Sequence, residues 1–159
     1  MNYTNKQNLP EALYQSLSKD PYKKVGEFTA SELPTPAQIW VLRKRYKDKI
    51  VIDVSDLIYP LIGNNTHYIL ERAGVENALT EERLFTTVGL WNISGKLDFY
   101  YADKTLWDYK VTSMWVLIDG VKPDWEAQCN INALLLKENG FTTDKIKICC
   151  IFGCLILYH

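Results

Sequence analysis

Residues 95–110 read GKLDFYYADKTLWDYK and place two aspartates and a lysine within one short β-forming segment. Aromatic and β-branched residues favour strands, and Asp103-Lys104 lies where a tight turn would join two of them. Side chains alternate faces along a strand, so Asp108 and Lys110 point to the same side of the second strand. Asp98 lies near the end of the strand before it. The segment therefore predicts a hairpin that gathers the minimum set of groups for holding a hard divalent cation and activating a water.

The bulk composition predicts one compact domain. The chain has 159 residues, of which 47% are hydrophobic and 13% aromatic, enough for a substantial core. Its net charge of -1 shows no basic excess of the kind that marks many nucleic-acid binders, although a local basic patch can serve the same purpose. The first residues lack the pattern of a secretory signal, and the apolar run 148–158 is too short to span a membrane. We expect a cytoplasmic protein without a membrane segment.

The cysteines favour a reduced interior. All of them lie in the last third of the chain, and two are adjacent, which puts them on opposite faces of a strand: Cys129, Cys149, Cys150 and Cys154. This arrangement suits neither a disulfide framework nor a zinc site. We interpret them as small apolar residues of a reduced core.

The N-terminal half is expected to be largely helical. Residues 1–30 are polar and predict an irregular extension with a short helix around Pro10–Leu17, which would precede a domain over 31–159. Thr35 as N-cap and Pro36 at the first helical position predict a second helix. A third is expected between a Ser55-Asp56 cap and about Gly74, interrupted or bent near Pro60 and Gly63.

The second of these helices ends in a basic cluster that contains Arg43, Lys44 and Arg45. Such a cluster is commonly a solvated helix end, and it can also steer phosphates towards a site. The residues alone favour the first interpretation and leave the second open.

The C-terminal half predicts strands around one long helix. Segments 82–92, 93–101 and 104–111 are rich in β-branched and aromatic residues and predict a three-stranded antiparallel meander. Pro123 starts a helix that ends near Gly140, and a final strand is expected over about 145–157. The predicted fold class is α/β, in the order helix, three strands, helix, strand.

These elements carry an ordered set of motifs: Gly63 followed four residues later by His67, Gly95-Lys96-Leu97-Asp98, Asp108-Tyr109-Lys110, and Gln128 on the last helix. Together they resemble the PD-(D/E)XK nuclease superfamily, in particular its RecB-like branch, which includes phage exonucleases and CRISPR adaptation nucleases. The resemblance covers roughly residues 31–150. It implies a restriction-endonuclease-like core with extra N-terminal helices.

The resemblance also implies a set of metal ligands. Asp98 and Asp108 would bind Mg²⁺ or Mn²⁺ together with the main-chain carbonyl of Tyr109. His67 would add an imidazole, although a lone histidine on a helix is more often structural. Glu71 and Glu82 are weaker candidates for further acids at the site.

Three more residues take roles from the resemblance. Lys110 would sit beside the metal-bound water as a catalytic residue, with a simple cross-strand salt bridge as the alternative. Gln128 would position a water or the DNA backbone. Asn132 stands where the family usually has a tyrosine, and from the same helix face it would contact substrate.

Two further expectations concern ligands. Tyr100 or Trp115 could stack on an unpaired base, although most aromatic residues of this region are expected to pack the core. An iron–sulfur cluster, which some RecB-like nucleases carry, is not expected, because no cysteine precedes Cys129 and the cluster could not be closed.

The resemblance implies a metal-dependent deoxyribonuclease, most simply an exonuclease of phage or bacterial DNA recombination or repair, working in the cytoplasm of a bacterial cell or phage-infected host. A catalytically weak nucleic-acid-binding or assembly subunit is the alternative, and a third is an unrelated α/β binding protein. The apolar C-terminal segment leaves three explanations open: a second copy of the chain covers it, a recombination or replication partner protein does, or the chain is truncated.

Overall fold

The computed structural model describes residues 2–19 and 27–153 and shows a mixed α/β architecture. Two short 3₁₀ turns, Lys47–Lys49 and Val54–Leu57, accompany the regular elements. In chain order these elements are β1 Asn2–Thr4, α1 Glu11–Ser18, β2 Phe28–Thr29, α2 Ala37–Arg45, β3 Val51–Asp53, α3 Ile58–Glu71, β4 Ala78–Thr80, β5 Arg83–Val88, β6 Trp91–Lys96, β7 Phe99–Tyr101, β8 Thr105–Thr112, α4 Val116–Asp119, α5 Pro123–Glu138 and β9 Lys145–Phe152.

Both short strands of the first 30 residues pair with later parts of the chain. β1 pairs in parallel with β3, and β2 pairs in parallel with β6. Asp53 secures the first pairing, since its Oδ2 accepts hydrogen bonds from Thr4 Oγ1 and the Lys6 amide, both at 2.8 Å. The predicted short helix is confirmed as α1, and it packs into a small core with α3 through Leu17 and Ile58. The N-terminal segment is thus joined to the rest of the structure by strand pairing as well as by packing.

The expected three-stranded meander is wrong in one respect, because the chain changes sheets in its middle. β5 and β6 form an antiparallel hairpin in a sheet of order β2-β6-β5, whereas β7 and β8 form a second hairpin in a sheet of order β4-β7-β8-β9. The change occurs at Leu97-Asp98, between β6 and β7. Leu97 is fully buried in the main core, and its amide donates to the Glu82 carbonyl at 2.8 Å. Leu97 and Asp98 thus separate the two strands, with the Leu97 side chain in the core and Asp98 in the turn.

The helix boundaries differ from expectation at two starts. α2 begins at Ala37 with Pro36 as its cap, and no side chain caps it, so the predicted Thr35 cap is wrong. Before α3, the side chain of Asp53 accepts from the Ser55 amide at 3.1 Å and caps the 3₁₀ turn, in place of the expected Ser55-Asp56 cap. α3 then runs without interruption from Ile58 to Glu71, because Pro60 lies in its first turn, where a missing N–H removes no helical bond.

The main core lies between the sheets and α5, and the predicted last helix is confirmed. Its buried members are Ala30, Leu84, Leu97, Tyr100, Leu106, Leu135 and Leu136. Gly95 of β6 permits the close approach of α5, since a Cβ there would meet Asn132 Oδ1 and the Leu135 side chain. This approach brings the first turns of α5, and with them Gln128, against the end of β6.

The final strand β9 pairs in parallel with β8, with Asp108 opposite Ile148. It forms one edge of its sheet among the described residues, while 154–157 of the expected strand lie outside them. Within 2–19 and 27–153, none of the helices combines the length and apolar character that a membrane span requires.

Candidate metal centre

Three ligand-type side chains from distant parts of the chain meet at one point. His67 comes from α3, Glu81 from the turn before β5, and Asp98 from the turn between β6 and β7. The His67 Nδ1 atom lies 2.8 Å from Glu81 Oε1 and 3.5 Å from Asp98 Oδ1. One donor atom from each residue lies within 4.8 Å of the other two. Ligands about 2.1 Å from a small divalent cation are spaced by ~3–4 Å, so this cluster has the dimensions of a metal site.

Glu81 owes its position to an unusual backbone conformation. Its φ is +55°, in the left-handed region that non-glycine residues rarely adopt. The Glu81 amide donates to the Asp98 carbonyl at 3.1 Å, which ties the two acidic turns together. The side chain of Glu81 is 4% exposed, whereas Glu82 faces solvent. The strained turn therefore selects the first of two adjacent glutamates for the cluster.

The charges of this cluster are balanced within it. Burial raises the pKa of Glu81, but hydrogen bonds from His67 and Lys96 outweigh burial and hold the pKa below its ordinary value. The same hydrogen bond to Glu81 raises the pKa of His67 above its ordinary value, against the opposing effect of burial. Lys96 pairs directly with the other Glu81 oxygen. Lys96 and His67 thus each engage one oxygen of the Glu81 carboxylate, which a metal ion would otherwise hold.

A second polar group lies on the adjoining strand. The Lys110 ammonium donates to Asp108 Oδ1 at 3.1 Å and to Gln128 Oε1 at 3.2 Å, so it joins β8 to α5. It also lies 2.9 Å from Asp108 Oδ2, but from a direction that makes no hydrogen bond, and that buried oxygen has no such partner among the described residues. Asp108 is only 2% exposed. Its Oδ2 is therefore buried and ion-paired with Lys110, and it accepts no hydrogen bond from the described residues.

One hydrogen bond connects the two groups. The amide of Tyr109 donates to Asp98 Oδ2 at 2.7 Å, which places Asp98 beside the strand that carries Asp108. Burial, together with the negative charge of Asp108, raises the pKa of Asp98 to about 6. Burial also raises the pKa of Asp108, partly offset by Lys110. Two desolvated carboxylates that repel each other are an environment that a divalent cation stabilises.

The donor set fits the metals expected from the sequence. Carboxylate oxygens suit Mg²⁺ and Mn²⁺, and one imidazole is compatible with Mn²⁺. Of the residues predicted for a site, the structure places His67 and Asp98 in the ligand cluster and Asp108, Lys110 and Gln128 in the adjoining polar group. Tyr109 meets the site through its amide, and the ligand role of its carbonyl stays a prediction.

Sequence reasoning missed Glu81 and considered Glu71 and Glu82 instead, both of which are exposed. The available signal was the pair of acids opening β5, but nothing in a sequence says which of two neighbours turns inward. The positive φ at Glu81 decides it, and this is a tertiary feature.

Two expected substrate contacts are corrected by burial. Asn132 is 2% exposed and lies under Gly95, with no hydrogen-bond partner for its Oδ1 among the described residues, so it packs α5 against β6. Tyr100 is also buried, and its hydroxyl donates to the Thr142 carbonyl at 2.7 Å, so its ring cannot stack on a base. Trp115 is 67% exposed and stays available.

A small polar cavity of about 110 Å³ adjoins the candidate site. Its lining includes Lys96 and Gln128, which contact the two polar groups described above, and the Arg83 guanidinium, which donates to Ser94 Oγ at 3.3 Å. The hydroxyl-bearing residues Thr29 and Ser31 complete its polar wall. Cationic and hydroxyl donors around a cavity of this size suit a phosphate group.

The basic cluster of α2 lies on the surface. Arg43, Lys44 and Arg45 are all exposed, and the Lys44 ammonium lies 5.1 Å from the centre of the Trp40 ring. The cluster is thus at the surface, where the sequence analysis placed it, and its role towards phosphates stays a prediction.

Comparison with known proteins supports the fold. The crystal structure of SSO0001 is similar to this chain with a TM-score of 0.60 and 19% sequence identity, over 89% of this chain and 68% of that one. No protein-family model matches the sequence, and no curated protein does. At this identity the likeness concerns architecture alone, and the mixed α/β fold of the chain is the conclusion that it carries.

Proposed function

We propose that this chain is a metal-dependent deoxyribonuclease that hydrolyses phosphodiester bonds, and that it acts as an exonuclease in phage or bacterial DNA recombination or repair. The observation that carries the proposal is the position of Asp98. It contacts the His67–Glu81 pair on one side and, through the Tyr109 amide, the strand of Asp108 and Lys110 on the other. Buried carboxylates, an imidazole and a lysine in one place form a site for metal-assisted hydrolysis.

The metal would be held by Asp98 and Asp108, with Glu81 and His67 completing the set. A bound Mg²⁺ or Mn²⁺ supplies Lewis acidity and lowers the pKa of a water molecule. The chain's own contribution is to keep these oxygens desolvated and correctly spaced. Lys96 must release Glu81, or share it, when the cation binds, because both compete for the same carboxylate.

Lys110 and Gln128 act on the substrate side. The Lys110 ammonium is fixed between Asp108 and Gln128, so its position is set before substrate arrives. A preorganised cation offsets the negative charge that develops on the phosphate during attack. The polar cavity beside Gln128 and Lys96 would receive a neighbouring phosphate of the DNA strand.

The proposal is tested with end-labelled linear and closed circular DNA in Mg²⁺ or Mn²⁺. Asp108→Asn and Lys110→Met should each lower the rate by about 10²-fold or more, which is typical when one preorganised charge is removed from a site. Lys104→Met, which alters an exposed lysine of the β7–β8 turn, is the matched control and should keep full activity.

Each outcome bears on a different part of the proposal. Loss of linear but not circular DNA supports the exonuclease, and cleavage of circles indicates an endonuclease. Equal rates for the wild type and both site variants would contradict metal-assisted hydrolysis at this site. DNA binding without any cleavage would favour the alternative, a nuclease-fold binding or assembly subunit.

A further inference from the structure

A second cavity, of about 360 Å³, lies between α2 and the sheet that contains β2 and β6. Its walls are mainly apolar and include three aromatic side chains, those of Phe28, Trp40 and Trp91. Cavities that bind small molecules or ligand fragments generally measure about 300–1,000 Å³. This cavity is therefore large enough for a single planar ring system, and none of the roles proposed above uses it.

The aromatic rings are arranged around Phe28. Its ring centre lies 5.4 Å from that of Trp40, at an interplanar angle of 37°, and 5.4 Å from that of Trp91, at 75°. The cluster is open to solvent, since Trp91 is 55% exposed and α2 contributes no buried residue. Indole faces at an open cavity offer stacking surfaces to an incoming ring rather than a closed core.

The charges beside the cavity favour a polyanion. Arg43, Lys44 and Arg45 form the last turn of α2, and Lys44 lies 5.1 Å from the Trp40 ring centre. The acidic residue of the cavity wall, Glu32, has one carboxylate oxygen engaged by the Thr29 amide at 3.2 Å. A ligand that combines a flat ring with a phosphate chain would use both the aromatic wall and the adjacent cations.

The cavity is connected to the candidate metal centre through β6. Trp91 begins this strand and Lys96, which pairs with Glu81, ends it. The five residue steps from Trp91 to Lys96 span about 17 Å of extended strand, a distance that a short single-stranded segment can bridge. The paired residues Phe28 and Ile93 share a sheet face with Gly95, so the cavity and α5 lie on the same side of the sheet.

We propose that this cavity binds an unpaired nucleobase of a single DNA strand whose phosphates contact the basic end of α2. The proposal rests on the proposed function, because it names the strand that reaches the metal centre. A base inside a duplex is stacked on both faces, so only a base outside a duplex can enter between these rings. The aromatic walls are complementary to a nucleobase, and the adjacent cations are complementary to its phosphates.

The test measures binding of fluorescein-labelled ligands to the full chain without divalent cations, so that no cleavage occurs. The ligands are a single-stranded thymidine 12-mer, an abasic 12-mer with the same phosphates, and a 12-base-pair duplex. Trp91→Ala and Trp40→Ala should weaken binding of the thymidine strand by about 5- to 150-fold and leave binding of the abasic strand unchanged, since stacking is lost and charge is kept. Trp40→Phe, which retains a stacking ring, should restore most of the affinity.

Tyr68→Ala is the matched control. Tyr68 is 60% exposed and also has a cation over its ring, with Arg72 at 5.7 Å, but it lies outside this cavity. Its loss should change none of the affinities. Thermal melting of each variant checks folding, and quenching of wild-type tryptophan emission by the thymidine strand provides a readout that needs no variant.

The nucleobase site is overturned if the wild type binds the thymidine and abasic strands equally, or if it prefers the duplex. It is also overturned if folded Trp91→Ala and Trp40→Ala bind the thymidine strand as the wild type does. Failure of base binding and failure of the proposed function are distinguishable, since hydrolysis by the metal centre is scored separately with Asp108→Asn. Hydrolysis can stand when base binding fails, and base binding can stand when hydrolysis fails.

Discussion

Replacing Asp98 with asparagine should stabilise the metal-free protein at pH 8, although the same change removes a proposed metal ligand. Burial and the charge of Asp108 raise the pKa of Asp98 from its ordinary value of 3.8 to about 6. The folded state therefore disfavours the ionised form that predominates at pH 8. Asparagine has a similar shape, carries no charge, and can still accept the hydrogen bond from the Tyr109 amide.

The size and the pH window of this effect follow from linkage. A difference of about 2 pH units between the folded and unfolded pKa corresponds to ~3 kcal/mol of unfolding free energy. Ionised Asp98 lowers the unfolding free energy of the wild type by this amount. For a carboxyl with a raised pKa, the destabilisation is absent below about pH 4, grows between about pH 4 and pH 6, and is complete above pH 7. The advantage of Asp98→Asn should follow the same course.

Thermal melts from pH 4 to pH 8 in a chelator measure this prediction. For a chain of this length, ~3 kcal/mol corresponds to a rise of about 6–12 °C in the melting temperature. Asp119→Asn, an exposed aspartate of α4, is the control and should change the melting temperature little at any pH. Adding Mn²⁺ to 100 times its dissociation constant should stabilise the wild type by ~2.7 kcal/mol and the variant much less.

A lower stability of Asp98→Asn than of the wild type at pH 8 in the chelator would contradict a raised pKa of Asp98. A stability difference that did not change with pH would also contradict it, because a raised pKa of Asp98 requires such a change. Equal stabilisation of both proteins by Mn²⁺ would show that Asp98 is not a ligand.

Three further predictions concern other parts of the structure. Glu81→Gln should weaken Mn²⁺ binding, measured by calorimetry, by about 10- to 100-fold. Glu82→Gln alters the exposed neighbour and should leave binding unchanged. Equal effects of the two changes would contradict the assignment of Glu81 as the ligand. Gly95→Ala should destabilise the protein by ~1–3 kcal/mol in urea melts, because the added Cβ would meet Asn132 and Leu135. Gly63→Ala should instead stabilise the protein by ~0.5–1 kcal/mol, because the space around Gly63 in α3 is open. The thiol of Cys129 should resist alkylation at pH 8 until the protein is unfolded, as followed by mass spectrometry, because burial raises its pKa to about 12; rapid labelling of the native protein would show that this part of the core opens.

Much of the local structure could be predicted from the sequence. The hairpin turn at Asp103-Lys104 and the helix from Pro123 are specified by nearest-neighbour chemistry, since turn formers and a proline at the first helical turn act within a few residues. The shared face of Asp108 and Lys110 follows from strand geometry alone, and their ion pair confirms it. The mixed α/β class follows from the order of these local signals.

The sheet arrangement could not be predicted in the same way. Residues 93–101 look like one strand because every local preference in them favours β structure. The structure divides them at Leu97-Asp98, where the chain leaves the sheet of β5 and β6 and enters that of β7 and β8. Which sheet each half joins depends on pairing with distant strands, which local preferences do not specify. Tertiary packing also decides the position of Asn132. Its spacing from Gln128 along the helix predicts a substrate contact, but the close approach of α5 to Gly95 buries it.

By itself, the sequence determined the hairpin with Asp108 and Lys110, the helix with Gln128, and the kind of chemistry that these groups can perform. Only the tertiary structure decided that Glu81 joins His67 and Asp98, since that choice depends on a backbone turn with positive φ held by a hydrogen bond between distant residues. Local preferences act over a few residues and can be read along the chain. A metal site depends on where separate elements meet, and the packing of the whole core determines their relative positions.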